Sequence, residues 1–204
     1  VGLSMARGKI LALTDSDIVL PPSWISRGVE LMQASGHKVV AGTFVSVADE
    51  GFWSSYTDEN PFGSKTPRMS RSYVLTPDNC GKGRFKQPVT ASMFIAREVY
   101  EDVGGLDENF TTPYEDYPYA DVIVRKGYNI LCDGSLIAYH YHREGFKSTL
   151  KEWWLAGKGC MDYILKYQFS ILAADRALQM LIVVLAGIIG TTALFMWPVL
   201  TILV

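Results

Sequence analysis

No Asp, Glu, Lys, Arg or His occurs between Ala177 and Val204. At about 1.5 Å per helical residue that run would exceed the roughly 30 Å hydrocarbon core of a bilayer. Residues 177–204 are therefore expected to form a transmembrane helix, with Pro198 kinking it or opening a re-entrant hairpin. Cysteine is scarce: Cys80, Cys132 and Cys160 stand far apart without CxxC spacing. That speaks against a disulfide framework or a zinc site and points to a reducing compartment. Positive charge is not in excess either, and a net charge of −2 gives no electrostatic basis for binding nucleic acid. Internal repeats and low-complexity segments are absent. So are an initiator methionine and a signal peptide, and both ends look cut, so a fragment of a longer membrane-attached protein is expected.

What is present starts with Asp15-Ser16-Asp17, which follows the apolar run Ile10-Leu11-Ala12-Leu13. A buried strand ending on two acids places their carboxylates at a sheet edge, where open α/β sheets bind ligands. Hard oxygen donors of this kind suit Mg2+ or Mn2+ carrying a phosphorylated substrate. An acidic turn after a strand is also common without any ligand.

The pattern then alternates. Ser23 reads as the N-cap of a helix with Ile25, Val29 and Met32 at helical spacing, closed by Gly36. Val39–Val47 is a β-branched strand, Val89–Ile95 another, and Arg97–Val103 a short helix stopped by Gly104-Gly105. Tyr117–Lys126 reads as a helix ending at Gly127, followed by strands Tyr128–Cys132 and Leu136–His140. Strands alternating with helices predict an α/β sheet. Between them, residues 50–88 are basic and rich in proline without a sustained period, a functional loop or a solvated insertion.

From Lys147 to Leu172 the apolar stripe Leu150, Trp154, Met161, Ile164 or Leu165, and Leu172 is interleaved with Lys151, Lys158 and Lys166. Such a helix lies in a membrane interface or packs on the domain's own core. Lys147, Lys151, Lys158, Lys166 and Arg176 on this side of the expected span place the domain in the cytoplasm.

Two further groups carry potential chemistry. Glu115-Asp116 stands at a helix start, where acids complement the helix dipole or one of them serves as a general base. His140-Tyr141-His142-Arg143 follows a strand. There one histidine would face a metal, and Arg143 would neutralise a departing diphosphate.

Taken in order, Thr14-Asp15-Ser16-Asp17…Pro22-Ser23-Trp24, then Thr90-Ala91-Ser92-Met93-Phe94 through Gly104-Gly105-Leu106-Asp107-Glu108-Asn109-Phe110, resemble family 2 glycosyltransferases of the GT-A fold. So do Glu115-Asp116 with Arg125-Lys126-Gly127-Tyr128, and His140-Tyr141-His142-Arg143. The resemblance covers roughly residues 3–165. It implies the C-terminal part of a GT-A (Rossmann-like) domain over 1–145, an interfacial amphipathic region over 146–176 and the transmembrane segment 177–204. It further implies inverting sugar transfer from a nucleotide-sugar donor to a glycan or lipid-linked acceptor at the cytoplasmic membrane face. Asp116 would be the base and Glu115 its neighbour. Asp15 would touch the donor's ribose or sugar, Asp17 would bind the metal with His140 or His142 as further ligands, and Thr90, Ala91 and Ser92 would border the acceptor.

The chain departs from that pattern in three places. The strand and βα unit that bind the nucleoside base in family members have no counterpart in these 204 residues. Pro118 and Val122 stand where an acid and an arginine are common. Glu152-Trp153-Trp154 replaces the Gln-x-x-Arg-Trp of processive synthases. Alone, the chain is expected to bind a nucleotide sugar poorly.

Two rivals belong to other classes. Leu11 to Leu20 also fits the nucleophile motif of haloacid-dehalogenase-like phosphohydrolases, with Asp15 phosphorylated and Asp17 as acid/base. That chemistry needs a later buried strand ending in acids, and Glu115-Asp116 follows Thr111-Thr112-Pro113 instead. The second rival is a non-catalytic membrane scaffold of the same fold.

Overall fold

Val39, Ala41, Met93 and Ile95 pack into one apolar cluster, while their neighbours Val40 and Phe94 pack into another. This period-two division is what a sheet buried on both faces requires. The computed structural model describes residues 2–47, 52, 72–80, 88, 90–110, 115–141, 145–167 and 171–202. In chain order its elements are α1 (Gly2–Met5), β1 (Ile10–Thr14), β2 (Ile18–Val19), α2 (Trp24–Ser35), β3 (Val39–Ser46), β4 (Tyr73–Leu75) and β5 (Ser92–Ala96). They continue with α3 (Arg97–Val103), α4 (Asp116–Arg125), β6 (Ile130–His140), α5 (Phe146–Lys166) and α6 (Ile171–Ile202).

The sheet runs β1-β5-β3-β6-β2, with β4 also on β6. Among the described residues only the β3–β6 pair is parallel; the other ladders are antiparallel. The α/β expectation therefore holds, as a mixed sheet. Helices α3 and α4 cover one face through Val99, Ala120, Ile123 and Val124, while α2 covers the other through Trp24, Leu31 and Met32. Trp24 packs on Phe94 with ring centroids 4.4 Å apart and donates its indole N–H to Ser92 Oγ at 3.0 Å. Gly28 lets α2 come this close, because a Cβ there would lie 2.3 Å from the Phe94 ring.

Several boundaries follow the sequence closely. Gly36 takes a left-handed conformation (φ 72°) and its N–H caps Met32 O, as the helix stop at that position requires. Ser23 precedes α2 but makes no side-chain cap, so that part of the N-cap expectation is not met. The two strands expected at 128–132 and 136–140 form one strand, β6. Ala41 pairs with Cys132 and Thr43 with Ile137, so β6 takes five steps where β3 takes two. The surplus is Asp133-Gly134-Ser135, held by Asp133 Oδ1 accepting from the Ser135 N–H at 2.8 Å. An odd surplus reverses the side-chain alternation. Cys132 consequently joins the α4 side and Leu136 the α2 side.

The tail corrects an expectation. Among the described residues no helix is long and apolar enough to cross a membrane, so the transmembrane helix expected at 177–204 is not supported. Helix α6 is described over Ile171–Ile202, and its first turns carry Asp175, Arg176 and Gln179. Gly187, Gly190, Thr191 and Thr192 also break its apolar surface, the two threonines bonding back to carbonyls of their own helix. Most of the basic segment 50–88, together with His142 and Arg143, lies outside the described residues.

Candidate functional site

Strand β1 ends at Thr14 and delivers Asp15 into an open cleft of about 820 Å³. Leu11 and Leu13 of β1, Leu3 of α1, and Leu106 and Glu108 beyond α3 form its walls. The Arg97 guanidinium fastens the segment before β1 by donating to Ala6 O at 2.6 Å and Gly8 O at 2.8 Å. Thr90 also lines the cleft, and through it Asp116 is reached.

Asp116 is the first residue of α4. Its Oδ1 accepts two bonds, from the Thr90 hydroxyl at 2.5 Å and the Thr90 backbone N–H at 3.0 Å. Among the described residues no hydrogen bond falls on Oδ2. The side chain keeps a partly open edge, yet the packed protein around it removes enough water to push its carboxyl up to about 6. The Thr90 bonds oppose that rise, and the negative charges of Glu115 and Asp15 add to it. A carboxyl poised there is ionised at neutral pH and still basic enough to take a proton.

The structure thus brings Asp15, Thr90, Glu115 and Asp116 within one electrostatic neighbourhood. A second pair forms beside it. Strand β2 pairs antiparallel with β6, setting Ile18 opposite His140, and the Tyr141 N–H donates to Asp17 O at 3.1 Å. These contacts bring His140 Nε2 to 3.5 Å from Asp17 Oδ2, with the imidazole stacked on Phe44. A carboxylate oxygen thus stands beside an imidazole nitrogen at the end of β6. Among the described residues no group of three or more candidate metal ligands occurs.

Ala91 and Ser92, expected beside the acceptor, are buried directly behind Thr90. Sequence reasoning missed that Thr90 holds Asp116, since 26 positions separate them. It also missed the cleft walls from α1 and from Leu106 and Glu108. Their only sequence signal was the Gly104-Gly105 stop, after which the chain must turn back toward the sheet.

Residues 1–94 match the model of the family described as glycosyl transferase family 2. A protein of Haemophilus influenzae described as an uncharacterized glycosyltransferase is 27% identical over 146 residues, which is 70% of this chain and 43% of that protein. Two crystal structures of S. aureus TarS 1-349 are also similar. The complex with UDP-GlcNAc has a TM-score of 0.46 at 13% identity over 79% of this chain and 44% of that one. The complex with UDP has a TM-score of 0.46 at 14% identity over 78% and 43%. The chain spans less than half the length of each of these relatives.

Proposed function

We propose that the protein moves a sugar from a nucleotide-diphosphate donor to a hydroxyl of a glycan or lipid-linked acceptor, with inversion, a reading supported by the match of residues 1–94 to the glycosyl transferase family 2 model. The observation that carries this reading is Asp116: a carboxylate held by Thr90 on one oxygen, raised to about 6, and set in the same neighbourhood as Asp15. Oδ2 takes the proton from the acceptor hydroxyl. The acceptor oxygen then bonds to the anomeric carbon as the bond from that carbon to the diphosphate oxygen breaks, and the electron pair leaves on the diphosphate. Asp15 orients the donor's ribose or sugar from the end of β1. Asp17 and His140 would hold Mg2+ or Mn2+, which when bound supplies positive charge against the leaving diphosphate.

A cytoplasmic membrane face is the proposed location. The lysine-bearing helix α5 supports it, as do Cys80, Cys132 and Cys160, which are all buried and unbridged. The phosphohydrolase rival finds no support in the geometry, since Asp116 is the first residue of a helix.

The test is a donor screen of the full-length protein with Mn2+ or Mg2+, beside Asp116→Asn and Asp17→Ala. Asp116→Asn should lose about 10²- to 10⁴-fold in turnover, the usual range for a missing general base. Undiminished transfer by both variants would overturn the assignment.

A further inference from the structure

Helix α5 presents three distinct faces. Thr149, Cys160 and Tyr163 are buried, with Tyr163 tilted against Tyr117 of α4 at 6.0 Å and against Tyr167 at 5.4 Å. Lys166 and the Tyr167 hydroxyl both bond Asp107, fixing the helix end to the body. A second face is apolar and unburied: Phe146, Leu150, Trp154, Met161 and Leu165 recur at helical spacing within about 100° of arc. Trp154 is 75% exposed and Leu165 66%, so this row is not part of the core. The third face, Lys147, Lys151 and Lys158, adjoins the apolar row and lies opposite the buried side. All three lysines stay out of the ion pairs found among the described residues.

We infer that α5 docks lengthwise on an anionic lipid surface, its aromatic and aliphatic row sinking among the acyl chains and its lysine row meeting the headgroups. A continuous apolar row of this size costs free energy in water and marks an interaction site. The occupant follows from the neighbouring charge: a row of cations beside a row of Trp, Phe and Leu matches a negatively charged interface. Because Tyr163 and Asp107 tie the opposite side to the domain, docking would hold the Asp116 cleft at a set height above the lipid. The inference deepens the membrane placement proposed above. It is read by lipid binding without any transfer reaction, so either can fail alone.

The experiment is sedimentation of the full chain with vesicles of phosphatidylcholine, alone and mixed with phosphatidylglycerol, following Trp fluorescence. Wild type should partition onto the mixed vesicles with a blue shift and much less onto phosphatidylcholine alone. Leu150→Ser with Trp154→Ser should weaken partitioning on the order of tenfold or more. Lys147→Gln with Lys151→Gln and Lys158→Gln should weaken it about fivefold per lysine. Circular dichroism on each variant separates lost binding from lost folding. Unchanged partitioning of both folded variants overturns the inference. So does a wild type that forms dimers through this face and ignores the vesicles.

Discussion

Thr90 donates both its hydroxyl and its backbone N–H to a single oxygen of Asp116. The arrangement fixes the carboxylate's rotation and restrains its basicity, because hydrogen bonds to the ionised form oppose the rise that desolvation causes. Removing the hydroxyl should let the carboxyl climb above about 6. Thr90→Ala is expected to shift the acidic limb of the pH–rate profile upward and lower turnover at pH 7 several-fold, whereas Thr90→Ser should restore both. A profile unmoved by Thr90→Ala would show that Thr90 does not tune the base.

The same carboxyl bears on stability as well as on the proposed proton transfer. Its folded pKa of about 6 lies above the 3.8 of an ordinary aspartate, so folding prefers the protonated form. The penalty is full above about pH 6 and fades as pH falls toward 4. Two units correspond to at most about 3 kcal/mol. Asp116→Asn should therefore unfold at higher urea than wild type at pH 8, with the advantage shrinking by pH 4, while transfer is lost. Equal midpoints at pH 8 would contradict the desolvated setting of Asp116.

Asp107 behaves in the opposite sense. Its bonds from Lys166 and Tyr167 hold its carboxyl down to about 2. The contribution is present above about pH 4 and is lost as pH falls from 4 toward 2. Asp107→Asn should speed amide exchange in the last turn of α5 at pH 7 and leave β5 unaffected. Protection equal to wild type in that turn would rule out the anchor.

Gly42 occupies a site with no room for a side chain. A Cβ there would lie 2.1 Å from Leu136 O and 2.4 Å from Ser92 Oγ. Gly42→Ala should cost about 1–3 kcal/mol, the usual range for overpacking. Thermal unfolding checks it, and a melting temperature equal to wild type would show that β3 and β6 can separate there at no cost.

Local chemistry made much of this fold legible. The spans of α2 and α3 follow from Gly36 and Gly104, which stop their helices with positive φ. Asp15 and Asp116 were visible because acids at a strand end and a helix start are conspicuous. Partner choice was not legible: nothing near β1 says that it pairs with β5 on one side only, or that β2, just Ile18–Val19, registers on His140. The Thr90–Asp116 and Asp17–His140 contacts are hidden for the same reason, since each joins distant segments through sheet topology. For 177–204 the expectation rested on the absence of charge alone, whereas among the described residues no helix is long and apolar enough to cross a membrane.

The three-residue detour at Asp133-Gly134-Ser135 has one more consequence. Both ends of β6 are pinned, one by Ile130 against the α4 side and the other by His140 beside Asp17. Deleting a single residue from the detour would make its length even, so everything downstream would rotate half a turn about the strand axis. Leu136 would leave the Trp24 side and His140 would swing off Asp17, breaking packing and the His140–Asp17 contact in one stroke. Loop length there acts as a phase lock between the hydrophobic interior and the reactive rim.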